Sequence, residues 1–204
     1  MMTCLSEDKA IQFACSTIHD FFDCYGLPDA TWYWETIIKA AGNKKPWDKE
    51  APYHLLLFME KLQELCTAAV TISKDYTIHA AVVVKQPEKQ PAPGILRQSD
   101  FVNSLQHGNG WSCFPRSLTI KQYQDPCKVI EKFAARMPVA LCTKIIGDIQ
   151  AYALSRNAID GEYTSGQLLK IRLCLLQLIE ACHLIEVRIQ VLKKQGHGKQ
   201  RRKK

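Results

Sequence analysis

From Leu168 to Val187 the chain is apolar almost all the way round a helix. Leu168, Leu169, Ile171, Leu173, Cys174, Leu175, Leu176, Leu178, Ile179, Cys182, Leu184, Ile185 and Val187 leave no wide polar face. A helix wetted on one side carries an apolar stripe opposite a polar one, so this one needs cover on every side. It is expected to be the central element of a bundle, or to pack against a second copy of the chain. Asp160-Gly161 marks the turn before it, Thr164 or Ser165 can cap it, and the predicted span is Ser165 to Gln195.

The rest of the chain supplies helices to surround it. Ile11, Ala14, Cys15, Ile18, Phe21, Phe22 and Tyr25 recur at spacings of three and four, which predicts a first helix capped by Ser6 and stopped by Gly26 and Pro28. A second helix with Asp29 as N-cap carries Trp34, Ile37, Ile38 and Ala41 and ends at Gly42-Asn43. Asp48 can cap a third, from near Glu50 to about Ser73, with Leu55, Phe58, Met59, Leu62, Leu65, Cys66 and Ala69 on one face. Pro52 is tolerable in its first turn. From Tyr76 to Lys85 the helical stripe continues through Ala80 and Val83, while Val82-Val83-Val84 also suits a strand; helix is the preferred reading.

Residues 86–97 hold Pro87, Pro91, Pro93 and Gly94 and read as a linker, the one candidate subdivision of an otherwise single helical domain over 1–192. A helical turn over Asp100 to Gln106 and an irregular loop over 107–118 follow. Asp125-Pro126 is a strong helix start, with Asp as N-cap, and Val129, Ile130, Phe133, Ala134 and Met137 give the stripe. Pro138 breaks or kinks the rod. Val139 to Arg156 continues it, with Leu141, Cys142, Ile145, Ile146, Ile149, Tyr152 and Ala153 inward. The expected fold is an all-α bundle of about six helices, with the Pro-rich linker near the middle and a disordered basic C-terminal tail over 193–204.

The formal charge of +7 is concentrated in that tail. Lys193, Lys194, Lys199, Arg201, Arg202, Lys203 and Lys204 account for all of it, and residues 1–192 hold equal numbers of acids and bases. Attraction to polyanions is therefore expected from the appendage and not from the body. A basic arm can neutralise phosphates, although such ends also solubilise, address a compartment or meet anionic lipid, and this one has no aromatic residue to stack on a base.

Nine cysteines are spread without local pairs, an odd number. The opening residues include Glu7 and Asp8 and lack the apolar core and cleavage site of a secretory leader. Reduced thiols are expected, in a cytoplasmic compartment or, in a eukaryote, a nuclear one. The longest apolar runs are broken by charge well before the roughly 20 residues that a membrane span requires, so none is expected.

Four places deserve weighing for chemistry. On the first helix Cys15 and His19 are four apart and share a face, with Asp20, Asp23 and Cys24 nearby. The His19-Asp20 pair resembles the signature of phosphohydrolases that bind metals through a His-Asp dyad. The resemblance implies a metal-dependent phosphohydrolase or nuclease-like enzyme using His19, Asp20 and Asp23. That family needs further histidines and a distant aspartate, for which His54, His79 and His107 are the histidines to test. The bland reading is surface polar residues beside a core cysteine.

The loop from His107 through Trp111 and Cys113 to Arg116 brings a thiol, an imidazole and a cation together in sequence. It matches no nucleophile motif and reads equally as a loop anchored by Trp111 and Phe114. Trp32, Tyr33, Trp34, Trp47 and Tyr53 form an aromatic cluster, in which Trp32 and Trp34 cannot share one helix face. An exposed tryptophan there would suit a contact surface, whereas two half-buried ones would only close the bundle's end. Cys182 and His183 are adjacent and diverge by about 100° on a helix, which rules them out as a ligand pair.

The reading that results is a non-enzymatic intracellular interaction protein. It would self-associate or bind a protein partner through helix faces, and contact nucleic acid or another polyanion through the tail. No cofactor or metal is assigned; the metal-dependent enzyme at His19, Asp20 and Asp23 is the alternative.

Overall fold

The structure, a computed structural model, describes residues 2–73, 75–83 and 113–201, and the side chains of 8–73, 75, 78–80, 82–83 and 113–192. It is all-α. Among the described residues there are eight helices and no strand: α1 Met2–Cys24, α2 Leu27–Ala41, α3 Pro52–Ile72, α4 Tyr76–Val82, α5 Ile120–Gln124, α6 Cys127–Arg136, α7 Val139–Leu154 and α8 Ser165–Arg201. The six helices expected from periodicity are α1, α2, α3, α6, α7 and α8, and two short ones join them.

The helix α8 is the axle. It packs against each of α1 to α6, and every residue from Leu178 to Arg188 is buried. Three turns buried on all sides demand an apolar sequence without a polar stripe, and this chain supplies the cover itself. Its first turns are wetter, with Leu169 56% and Leu173 41% exposed. Thr164 caps it: Gln167 N donates to Thr164 Oγ1 at 3.2 Å while Thr164 N donates to Gln167 Oε1 at 2.8 Å, a reciprocal capping box. The helical backbone runs on to Arg201, past the expected end at Gln195.

Around the axle, α1 lies on α3, and α2 and α3 lie on α7. All seven positions expected on the inner face of α3 are buried. Trp34 is fully buried and its Nε1 donates to the carbonyl of Arg172 at 3.0 Å, while Trp32 is 42% exposed. The divergence of the two tryptophans holds, and only one of them closes the core. Arg172 also forks onto Glu35, Nε to Oε2 at 2.7 Å and Nη2 to Oε1 at 2.6 Å, tying α8 to α2 a second time. One hydrophobic cluster takes in residues from α1 to α4 and from α6 to α8, so the halves before 86 and after 98 share a core. The linker at 86–97, the turn at 100–106 and residues 107–112 of the loop lie outside the described residues.

Several local expectations are corrected. The first helix begins at Met2, which places Ser6 inside it and not at its cap. Gly26 precedes α2 as its N-cap, and Pro28 and Asp29 sit in the first turn of α2. Proline fits there because the first amides of a helix have no intrahelical partner. Ala51, not Asp48, precedes α3, with Pro52 as its first residue. The chain does not continue as one helix through residue 76: Asp75 Oδ1 accepts from Ile78 N at 3.2 Å and starts α4 afresh. Leu141, expected inside, is 44% exposed. The start expected at Asp125-Pro126 is shifted by one residue: Pro126 is the N-cap of α6 and Cys127 its first residue, while Asp125 Oδ1 still accepts from Lys128 N at 3.3 Å. Thr119 and Gln122 form a second capping box, on α5, that periodicity did not reveal.

Candidate functional site

The polar residues of the buried stretch of α8 are the least expected feature of the molecule, because a charge so deep in a bundle costs several kcal/mol unless it is paired and hydrogen-bonded. Glu180, 2% exposed, solves this with backbone amides. Its carboxylate accepts from Arg116 N at 2.9 Å, Ser117 N at 2.8 Å, Leu118 N at 3.1 Å and Ser117 Oγ at 2.6 Å. Arg188, 5% exposed, does the converse with carbonyls. Its guanidinium donates to Val82 O, to Tyr123 O at 2.6 Å and to Gln124 O at 3.3 Å. Val82 and Gln124 are the last residues of α4 and α5. Helix C-termini carry unpaired carbonyls and partial negative charge, so one buried cation gathers two helix ends. Burial still pushes the guanidinium below the ordinary arginine value.

Behind that clamp three metal-ligating side chains meet. His79 on α4, Asp125 just after α5 and Cys127 at the start of α6 place one ligand atom each within 4.8 Å of one another. The His79 ring donates from Nε2 to Asp125 Oδ1 at 3.1 Å, and Lys128 Nζ lies 3.0 Å from Asp125 Oδ2. Burial on its own would raise the Asp125 carboxyl; the hydrogen bonds from Lys128 and His79 outweigh it and hold the group below the usual range. Burial, reinforced by the charges of Asp125 and Glu131, pushes the Cys127 thiol up to about 12, against a smaller opposing effect of Arg188. Sequence reading passed over this trio. Asp125 was visible only as a helix cap, and His79 stands 46 residues away from it.

The residues singled out on α1 are arranged differently. His19 lies between two carboxylates, with Nδ1 2.8 Å from Glu186 Oε1 and Nε2 3.5 Å from Asp23 Oδ2. Gln190 Nε2 also donates to Glu186 Oε1, at 2.6 Å. The acids therefore occupy opposite edges of the ring and do not converge on one point. Asp20 faces elsewhere, lining a groove of about 650 Å³ between α1 and α3 with Glu60 and Glu64. Neither His54, 3.8 Å from Glu50, nor His79 joins them. His107 lies outside the described residues. Among the described residues the trio at His79 is the one group of three potential metal ligands.

In the loop, Cys113 is buried with Leu184 and Val187, and Phe114 stacks on Tyr123 with ring centroids 5.4 Å apart. Phe114 thus anchors the described end of the loop, as expected of it, while His107 and Trp111 lie outside the described residues. The aromatic cluster is mostly core: Tyr33 stacks on Phe58 at 5.1 Å and hydrogen-bonds Glu50, and Trp47 N donates to Ala153 O at 2.7 Å. Cys182 and His183 are both buried, the His183 ring resting edge-on against Phe22 at 5.0 Å. The eight described cysteines form no disulfide. Among the described residues no helix is long and apolar enough to cross a membrane. The side chains of Lys193, Lys194, Lys199 and Arg201, and all of Arg202, Lys203 and Lys204, lie outside the description. No family model, no curated protein and no solved structure matches this chain.

Proposed function

We propose that this chain is a helical interaction protein that holds nucleic acid by its phosphate backbone through Lys193, Lys194, Lys199, Arg201, Arg202, Lys203 and Lys204, with the bundle as the mount. The observation that carries the reading is the charge partition: these seven residues are the whole formal excess of a chain whose remaining 192 residues balance. The route from mount to arm adds support. Residues 193–201 of the basic segment continue the backbone of α8, whose stretch from Leu178 to Arg188 is buried throughout, so the basic residues extend from the helix that the bundle encloses.

Phosphate contacts position a protein on a strand without reading sequence, and binding is expected to be insensitive to base composition. Nucleic acid is favoured over a lipid surface because residues 193–204 contain no apolar side chain to enter an acyl layer. Among the described residues no donor set converges on His19, Asp20 and Asp23 to support the enzyme reading.

The test is fluorescence anisotropy with labelled duplex DNA and single-stranded RNA of mixed sequence. Anionic vesicles form a third arm. The full chain is compared with a full-length variant in which the seven Lys and Arg are replaced by Gln. Binding to both nucleic acids that disappears in the variant supports the reading. Undiminished binding by the variant moves the contact to the body, and binding to vesicles alone replaces nucleic acid with lipid.

A further inference from the structure

We propose that His79, Asp125 and Cys127 form a binding site for a divalent metal ion of borderline softness, Zn²⁺ above all, with water as the fourth ligand. The donor set is one imidazole nitrogen, one carboxylate oxygen and one thiol sulfur, a mixture that suits zinc better than the oxygen-preferring ions Ca²⁺ and Mg²⁺. Their ligand atoms already lie within 4.8 Å of one another. Tetrahedral zinc with bonds of about 2.0 Å to nitrogen and oxygen and about 2.3 Å to sulfur spaces its ligands roughly 3.5 Å apart, so small side-chain rotations close the site.

Two features make this more than a chance meeting. The first is preorganisation. Arg188 ties the carbonyl of Val82, three residues beyond His79, to those of Tyr123 and Gln124, the two residues before Asp125. The segments carrying two of the ligands are therefore pinned to one point of the buried axle, which removes much of the ordering cost of binding. The second is access. The Asp125 side chain is 12% and that of His79 32% exposed, while Cys127 lies beneath at 5%. This leaves a dry floor and one open side for a water ligand.

Charge closes as well. The metal ion displaces the Cys127 proton to solvent, and thiolate plus Asp125 carboxylate then neutralise its two positive charges, with His79 neutral. Lys128, whose Nζ lies 3.0 Å from Asp125 Oδ2, is 64% exposed and can swing into water when the ion binds. The guanidinium of Arg188 remains engaged with carbonyls.

The test is titration of the chelator-treated, reduced full chain with Co²⁺, a spectroscopic stand-in for Zn²⁺. The expected result is one equivalent bound, with a thiolate-to-cobalt charge-transfer band in the near ultraviolet and the strong visible bands of tetrahedral cobalt. Zn²⁺ should displace both. Cys127→Ser is expected to abolish the charge-transfer band, and His79→Gln to weaken Co²⁺ binding at least ~100-fold. His79→Gln lies at a half-exposed position, so it reports on the site even if Cys127→Ser disturbs folding, which circular dichroism would reveal. Cys24→Ser, at an exposed thiol, serves as control and should change nothing. Absence of the band in the parent chain, or a band and affinity unchanged in His79→Gln, overturns the assignment.

Discussion

Replacing Glu180 tests whether α8 holds the structure together by polar contacts as well as by apolar burial. In the parent chain the carboxylate satisfies three backbone amides and one hydroxyl at 2.6 to 3.1 Å. Glu180→Gln preserves shape but turns one oxygen into a donor that faces other donors. Oε1 serves Arg116 N, and Oε2 serves Ser117 Oγ and Leu118 N, so whichever way the amide turns, at least one backbone amide loses its acceptor. A hydrogen bond to a charged group is worth about 1.5–3 kcal/mol, and a buried donor left unmet costs about 1–3 kcal/mol. The loop is partly wet, which favours the low end, and the expected loss is about 2–4 kcal/mol for Glu180→Gln. That is a large part of the 5–15 kcal/mol that typically separates native from unfolded states.

The assay is urea unfolding at pH 7, with Glu162→Gln as an exposed control expected to stay within about 0.5 kcal/mol. A second readout follows from geometry. Cys113, 2% exposed, belongs to the same loop and is buried against Leu184 and Val187 of α8 with Leu118 packed on the cluster, so alkylation of that thiol under native conditions should speed up in the variant. If Glu180→Gln is as stable as the control and Cys113 remains protected, the idea that this carboxylate anchors the loop is wrong.

Two further tests probe the packing of α8. Burial pushes the His183 imidazole down to about 4 from an ordinary 6.5, so the folded state resists a proton that the unfolded chain accepts. The neutral ring's contribution is present in full above pH 6.5 and is lost as pH falls towards 4. The loss by pH 4.5 is roughly 2–3 kcal/mol. In unfolding titrations the parent should lose about that much more stability between pH 7.5 and 4.5 than His183→Leu does; parallel pH curves for the two would refute it. Thr164→Ala removes the cap of α8 and should cost about 1 kcal/mol by thermal or urea unfolding, whereas no change would mean that the box contributes nothing.

What the sequence showed and what it hid divide along a physical line. Helical stripes report burial against any apolar partner, so the inner face of α3 and the need to surround α8 were readable without knowing what lay opposite. Trp32 and Trp34 separated correctly because 100° per residue is a local rule. Glu180 and Arg188 were not readable as buried residues, since their partners stand 62 to 106 residues away and are, apart from Ser117 Oγ, backbone atoms, which have no sequence signature. The metal trio failed to register for the same reason. His19, by contrast, looked promising because its acids were neighbours in sequence, and folding put its nearest carboxylate, Glu186, on the opposite edge of the ring. Helix ends were misplaced where an acceptable cap, Ser6 or Asp48, was overtaken by a helix that started earlier or later.

The claim that binding resides in the basic segment is tested most directly by the salt dependence of duplex DNA affinity. Seven phosphate contacts at about −0.9 each set a limiting slope of about −6 for the logarithm of affinity against the logarithm of salt concentration. The full chain should approach that value, and the variant with Gln at all seven positions should show a slope near zero. A parent slope near zero, or the same steep slope in both proteins, would contradict the account.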